Sequence, residues 1–218
     1  MKLIIIICEG ETEQEFCKIL LYPHFSNKGI ILKRKLIGKS NGGIVHWNSL
    51  KNEIETYLKQ NKDAYVTTLI DYYGIQSKHN FPNWKDKIKL VDKNKKMDFI
   101  EFSMKNDISE DLNHRFIPYV QLHEFEGLLF NNILSFKNQI NANEFKNLGE
   151  LEKIIEDYPN PELINDNPNT APSKRLLKLI NGYKKTVLGP LIAEEIGLDN
   201  IRAKAPRFNN WISTLENI

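Results

Sequence analysis

Glu9, Asp71, Glu124 and Glu126 each stand just past an apolar run. Lys2–Cys8 (KLIIIIC) leads into Glu9, residues 65–70 (YVTTLI) into Asp71, and residues 117–122 (IPYVQL) into His123-Glu124-Phe125-Glu126. As neighbouring parallel strands, these runs would bring the carboxylates together at one edge of a sheet, where open α/β folds bind ligands. Acids gathered there repel one another unless they are protonated or neutralised by a cation. Glu13, one helical turn beyond Glu9, can point into the same crevice. The chemistry expected is divalent-metal binding, because Mg²⁺ (or Mn²⁺) takes oxygen ligands and keeps several positions for water or phosphate oxygens. Glu9, Glu13, Asp71, Glu124 and Glu126 are the expected metal ligands. Two ions in such a site can hold a phosphodiester, activate a water and stabilise the leaving oxygen. The plainer alternative is that each acid caps a helix or faces solvent. His123 could act as a general base or orient a ligand, and a histidine bonded to backbone at a strand end is the simpler reading.

The elements that must position these residues follow from periodicity. Residues 3–7 are apolar at consecutive positions, as in a strand covered on both faces. Thr12 to Glu15 fits a capping box, followed by Phe16, Ile19 and Leu20 on one helical face, with Pro23 ending the element. Residues 30–37 read as a second strand, whose lysines suit an edge. Residues 40–43 form a loop, and residues 47–60 have helical spacing through Trp47, Leu50, Ile54 and Leu58. Residues 65–70 are the third strand. A lysine-rich helix is expected over 83–94, a short one over 109–115, a fourth strand over 116–122 with Pro118 near its start, and a helix opening at 126–130. The order is that of a mainly parallel, doubly wound sheet flanked by helices, an α/β fold. No strand pattern follows residue 141. Helices are expected over 143–157, 173–183, 187–196 and 208–216, with a Pro/Asn/Asp-rich loop over 158–172. The division expected is an α/β domain over 1–140 and a helical region over 141–218, packed on or near the acidic edge.

Bulk properties bound the reading. The 218 residues suffice for one well-buried core. A net charge of +2 neither demands nor excludes nucleic acid. Cys8 and Cys17 have no metal-ligand spacing and read as buried thiols. The amino terminus has no signal-peptide pattern, and no apolar stretch reaches the length of a membrane span. A soluble, cytoplasmic protein without a membrane partner is expected. There is no GxxxxGK[ST] loop, GxGxxG, GxSxG elbow or zinc-type histidine spacing. Lys174, Arg175, Lys184, Lys185, Arg202 and Arg207 are the candidate phosphate partners, the arginines by bidentate contact. Salt bridges to the acids are the competing use of these cations. Trp84, Phe208 and Trp211 have the chemistry to stack on bases, though core packing is the expected use.

Glu9-Gly10-x-Thr12-Glu13, with an acid ending a later strand, resembles the Toprim domain of topoisomerases, primases, recombination mediators and the overcoming-lysogenization-defect nucleases. The closer resemblance is to the bacterial domain-of-unknown-function family 4276, a Toprim-like group. Its pattern is matched by Glu9–Glu13, by Asp71–Gly74 (DYYG), by Gln121–Phe130 with Gly127 where alanine is frequent, by Pro172–Arg175 (PSKR), and by Gly189-Pro190 through Arg202 to Pro206–Trp211. These motifs span nearly the whole chain. The resemblance implies a Mg²⁺-binding acidic triad or tetrad, with Glu9 as general acid/base or metal ligand and Asp71 as the first acid of a DxD pair. Tyr73 stands where the second acid belongs. Glu124 or Glu126 could supply that carboxylate, a reading drawn from the residues themselves.

The leading expectation is a Mg²⁺-dependent nuclease of bacterial phage defence or a restriction-linked system, with nucleic acid as partner and DNA favoured over RNA. Glu9, Asp71 and Glu124 or Glu126 would hold the metal, and Arg175 or Arg207 would stabilise the developing charge. The resemblance also implies an AAA- or ABC-type ATPase partner, since this chain has no nucleotide loop; an oligomer is possible. The alternative is a non-catalytic nucleotide- or nucleic-acid-binding module, which the missing second acid favours. Nucleotidyl transfer ranks last, for want of a template-binding region.

Overall fold

The computed structural model describes residues 2–38, 43–86, 90–165 and 167–218. The loop expected over 40–43 falls outside these except for Gly43, as do residues 87–89 of the helix expected over 83–94.

β1 (Lys2–Cys8) is the centre of the fold. Its β-branched run has no polar face, and none is needed. Ile4, Ile6 and Cys8 enter the core on one side of the sheet, and Ile5 and Ile7 enter the core on the other. β2 (Ile30–Leu36) pairs along one edge of β1 and β3 (Ala64–Asp71) along the other, both parallel. β4 (Phe116–Ile117) and β5 (Val120–Gln121) then pair in parallel with β3. The spatial order β2-β1-β3-β4 reverses direction between β1 and β3. That switch point leaves a crevice beyond the carboxyl ends of the two strands, because the connections leave in opposite directions. Glu9 and Asp71 stand at those two ends.

On one face α3 (Trp47–Gln60) and α4 (Lys93–Asp107) bring Leu50, Ile54, Leu58, Met97, Ile100 and Met104 against Ile5, Ile7, Val66 and Ile70. The other face receives α1 (Glu11–Phe16) and α2 (Tyr22–Asn27). It also takes the carboxy-terminal helices α5 (Ile133–Gln139), α6 (Leu148–Asp157), α7 (Pro172–Leu179), α8 (Lys185–Ile196), α9 (Leu198–Lys204) and α10 (Pro206–Glu216). One apolar cluster there runs from Ile4 through Phe16 and Phe125 to Ile192, Phe208 and Leu215. Phe208 and Trp211 are core residues: Trp211 stacks on Tyr119 at 4.4 Å and donates from Nε1 to Thr67 Oγ1 at 2.8 Å. Trp84 is also buried, 5.9 Å from the Tyr72 ring. No described helix is long and apolar enough to cross a membrane.

Several local expectations are corrected. Thr12 does not cap its helix: α1 begins at Glu11 behind Gly10, so Thr12 lies inside the first turn with its hydroxyl buried. Glu15 pairs instead with Lys18 at 2.8 Å. Pro23 does not end the element. A π-helical turn over Cys17–Leu21 precedes it, and the widened turn accommodates a residue with no N–H to donate. Gly29, at φ +73°, turns the chain after α2. The fourth strand is broken at Pro118-Tyr119. There Thr68 Oγ1 lies 3.0 Å from both the Tyr119 N–H and the Tyr119 carbonyl, so a side chain replaces the missing ladder. In the described part of 83–94 the chain turns rather than forming a helix until Asp92 caps α4 at the Lys95 N–H. Phe125–Leu129 is a 3-10 turn, and Asn132 caps the helix that follows.

Candidate active site

Glu9, the first residue past β1, turns its carboxylate across the switch point. Oε2 accepts the Asp71 backbone N–H at 2.8 Å. Gly74, in the 3-10 turn after β3, lies directly beneath: a Cβ there would stand 2.5 Å from Glu9 Oε1. The glycine of the DYYG segment is thus a close-approach residue for the carboxylate. Asp71 is buried, and its Oδ1 accepts the Phe125 N–H at 2.9 Å, which holds the 123–126 segment to the end of β3. His123 sits in the left-handed region at φ +68°, with its carbonyl accepting the Tyr73 N–H at 3.1 Å. A buried non-glycine residue held there is a strained backbone of the kind that accumulates at functional sites.

α1 adds Glu13, buried beside Gly10. Glu126 is only 1% exposed, and neither of its oxygens accepts a hydrogen bond. Lys185, the first residue of α8, brings its Nζ to 3.7 Å from Glu126 Oε1 with its side chain half exposed. A cavity of about 540 Å³ opens here, lined by Glu9, Gly10, Thr12, Glu13, Asp71 and Lys185 among others.

The electrostatics follow from burying like charges together. Burial pushes the Glu9 carboxyl up to about 7, helped by Glu13 and Glu126, while the Asp71 N–H and Lys185 pull it down. Burial takes Glu126 to about 7 as well, against Lys185 and with Glu124 and Glu13. Asp71 is raised well above the ordinary range by burial, then by Glu13, Glu9 and Glu126. Glu13 is raised by burial and by Glu124, against the pull of Lys185. Burial alone would lower Lys185, but Glu126, Glu13, Asp71 and Glu9 together hold its ammonium above the usual lysine range.

Glu124 faces the same charges but serves the architecture. Its Oε2 accepts the Ser173 N–H at 2.9 Å and so caps α7. Lys174 is exposed in the turn so capped, and Arg175 donates from Nε to the Thr170 carbonyl at 2.8 Å. Lys184 is exposed beside Lys185. Arg202 is committed to Glu216 at 2.8 Å, Asn209 and Ser213. Arg207 is committed to Asp98 and, at 2.7 Å, to Glu101. Neither Arg202 nor Arg207 lines the acidic cavity, and their guanidinium groups are engaged in ion pairs within the fold. Tyr73, at the position of the missing acid, accepts a hydrogen bond from Asn165 Nδ2 at 2.7 Å.

Two further hydroxyls stand at the site. Thr12 Oγ1 and the Tyr183 hydroxyl are buried without hydrogen-bond partners among the described residues, and a Cβ at Gly189 would stand 3.4 Å from the Thr12 methyl and 3.6 Å from the Tyr183 hydroxyl. Thr12 is legible in the sequence as a cap and as a motif position, and nothing in spacing marks Tyr183. The donor chemistry of this group suits a hard divalent cation: every candidate ligand is oxygen, and Glu126, beside the Lys185 ammonium, accepts no hydrogen bond among the described residues. Among the described residues no group of three or more acid, histidine or cysteine side chains is placed to hold a metal ion as the side chains stand.

The model of family DUF4276, a domain of unknown function, matches residues 8–216. No curated protein matches the chain. Among solved structures, it is similar to the C-terminal region of the OLD protein of Xanthomonas campestris pv. campestris. The two share 15% identity with a TM-score of 0.38 over 99% of this chain and 98% of that one.

Proposed function

We propose that this chain, which belongs to the DUF4276 family, is a divalent-cation-dependent nuclease that hydrolyses phosphodiesters of nucleic acid. The observation that carries this reading is the meeting of Glu9, Glu13 and Asp71 around one cavity at the switch point of a parallel sheet, with the buried Glu126 close enough to raise Asp71 further. Such a concentration of buried negative charge is costly unless a cation or protons offset it. The Toprim resemblance of Glu9-Gly10-x-Thr12-Glu13 and Asp71 points the same way. Glu9, Asp71, Glu126 and Glu13 would hold Mg²⁺ or Mn²⁺, which when bound supplies charge neutralisation for phosphate oxygens and a more acidic water.

The chain's own groups divide the work. Glu9 Oε2 is fixed by the Asp71 N–H, and burial raises the cation-free carboxyl to about 7, so that it can take up or release a proton at neutral pH until a cation binds its ionised form. Asp71 and the His123 turn position the Glu124–Glu126 segment. Lys185 stays charged and can grip a phosphate oxygen at the cavity mouth. Nicking of supercoiled plasmid with Mg²⁺ but not with EDTA, lost in Glu9→Gln and Asp71→Asn, tests the proposal. Cleavage that survives both substitutions overturns it.

A second reading is a nucleic-acid-binding module without turnover. It is favoured by Tyr73, whose hydroxyl is engaged by Asn165 where the second acid of a DxD pair would stand. It predicts cation binding with no cleavage under any condition.

A further inference from the structure

β2 is the edge strand next to the acidic cavity, and it exposes two lysines between the partly exposed apolar residues Ile31 and Leu36. Lys33 and Lys35 are exposed and Arg34 is half-buried. No ion pair among the described residues uses any of the three. Arg34 instead lies over the ring of Tyr22, 5.4 Å from its centroid, and Tyr22 is 45% exposed. Lys18, Tyr22, Leu32, Lys33, Arg34 and Lys35 line a concave surface of about 520 Å³. The next residue along the strand, Leu36, pairs with Cys8 and lines the acidic cavity itself. A cationic strip therefore runs along the sheet edge and ends beside Glu9.

We infer that the β2 edge is the track on which a single-stranded stretch of the nucleic-acid substrate lies as it approaches the acidic cavity. The inference rests on the nuclease reading above and adds where the substrate binds and in what form. Strand geometry sets Lys33 and Lys35 about 6.6 Å apart on one face, of the order of the spacing of successive phosphates in an extended strand, and turns Arg34 to the other face, so that the three share only the open edge of the sheet. Lysines on an unpaired edge also block pairing with other chains. That role does not account for an arginine pre-positioned over a half-exposed tyrosine, which offers an unpaired base both a stacking face and a cation. The strip carries the charge opposite to that of the neighbouring acidic cavity. Phosphates are held along β2 and repelled from the cavity until a cation neutralises it.

The test uses the full chain with a fluorescein-labelled single-stranded DNA of about twenty nucleotides. Ca²⁺ replaces Mg²⁺, and binding is followed by anisotropy across a salt series. In Lys33→Gln/Arg34→Gln/Lys35→Gln, affinity is expected to fall about tenfold or more and the salt slope to flatten by about 2. Tyr22→Ala should weaken the single strand more than a duplex of the same sequence. Lys146→Gln/Lys153→Gln/Lys178→Gln, which removes equal charge elsewhere, should change little. Mn²⁺ binding to each variant, measured by calorimetry, is expected to stay at the unsubstituted level. Unchanged oligonucleotide affinity in the β2 variant overturns the track, as does an equal loss in the control variant. Failure of the unsubstituted chain to bind the oligonucleotide does the same. Absence of Mn²⁺ binding overturns the nuclease reading instead and leaves the oligonucleotide comparison to decide the track on its own.

Discussion

The backbone N–H of Asp71 donates to Glu9 Oε2 at 2.8 Å, so the acid that follows β1 is held by the residue that ends β3. One carboxylate oxygen is spent on architecture and the other remains for chemistry. Glu9→Gln keeps an amide oxygen able to accept that bond while removing the charge and the titrating proton. Its melting temperature should stay close to that of the parent, and its cleavage rate should fall about 10²–10⁴-fold. A variant as active as the parent would show that Glu9 is only structural.

Gly74 is the counterpart of that bond. An added Cβ would lie 2.5 Å from Glu9 Oε1, 2.9 Å from Oε2 and 3.0 Å from Cδ. Gly74→Ala therefore displaces the carboxylate and breaks its bond to Asp71, at a cost of about 1–3 kcal/mol. Mn²⁺ affinity, read by calorimetry, should drop with stability. Equal affinity in the variant would mean that Glu9 can hold the cation from another rotamer.

Much of this arrangement is legible in the sequence. β1 and β3 end where the apolar runs end, because a strand covered on both faces has no reason to stop before its first charge. α3 follows from Trp47, Leu50, Ile54 and Leu58. α4 is harder to place although Met97, Ile100 and Met104 have helical spacing, because the lysine-rich segment before it draws the boundary too early. The π turn before Pro23 and the break at Pro118 are tertiary solutions to missing N–H groups, and no local pattern announces them. The metal-ligand candidates are readable as strand-end acids, but Glu124 differs from Glu126 only in what faces each. Glu124 meets the amino end of α7, and Glu126 meets no donor within hydrogen-bonding distance. That distinction belongs to the assembled fold.

Thr68 replaces a stretch of ladder with one hydroxyl, 3.0 Å from the N–H and from the carbonyl of Tyr119. Thr68→Val is nearly the same size but leaves both backbone groups buried without that partner. A loss of about 2–4 kcal/mol is expected in urea unfolding, with no change in the slope of the transition. A loss below about 0.5 kcal/mol would mean that water or backbone movement replaces the bond.

Glu216 shows the opposite electrostatics from the acidic cavity. Burial would raise it, but hydrogen bonds from Arg202 and His24 and the charges of Arg202 and Lys28 hold it down to about 2. A depressed folded-state pKa gives stability that is present above pH 4.5 and is lost as pH falls towards 2. Glu216→Gln should therefore lower stability at pH 7 by on the order of 1–3 kcal/mol and lose less than the parent between about pH 4.5 and 2. Parallel stability curves for the two proteins over that range would sink the assignment.

The cavity acids invert that dependence. Glu9 and Glu126 have folded-state values near 7 against about 4.5 unfolded, so between those limits the folded chain binds more protons than the unfolded one. Stability must then fall as pH rises from about 4.5 to 7, because each carboxyl loses its proton in a site that disfavours the charge. A divalent cation reverses the penalty by binding the ionised form, so its stabilising effect should grow over the same interval. Melting curves with EDTA and with Mg²⁺ should nearly coincide at about pH 4.5 and separate by about pH 7.5. Asp71→Asn, which removes one of the like charges, should narrow the gap. Curves that stay together at every pH would mean that Lys185 and protons alone balance the cluster, and that the cavity was not built for a cation.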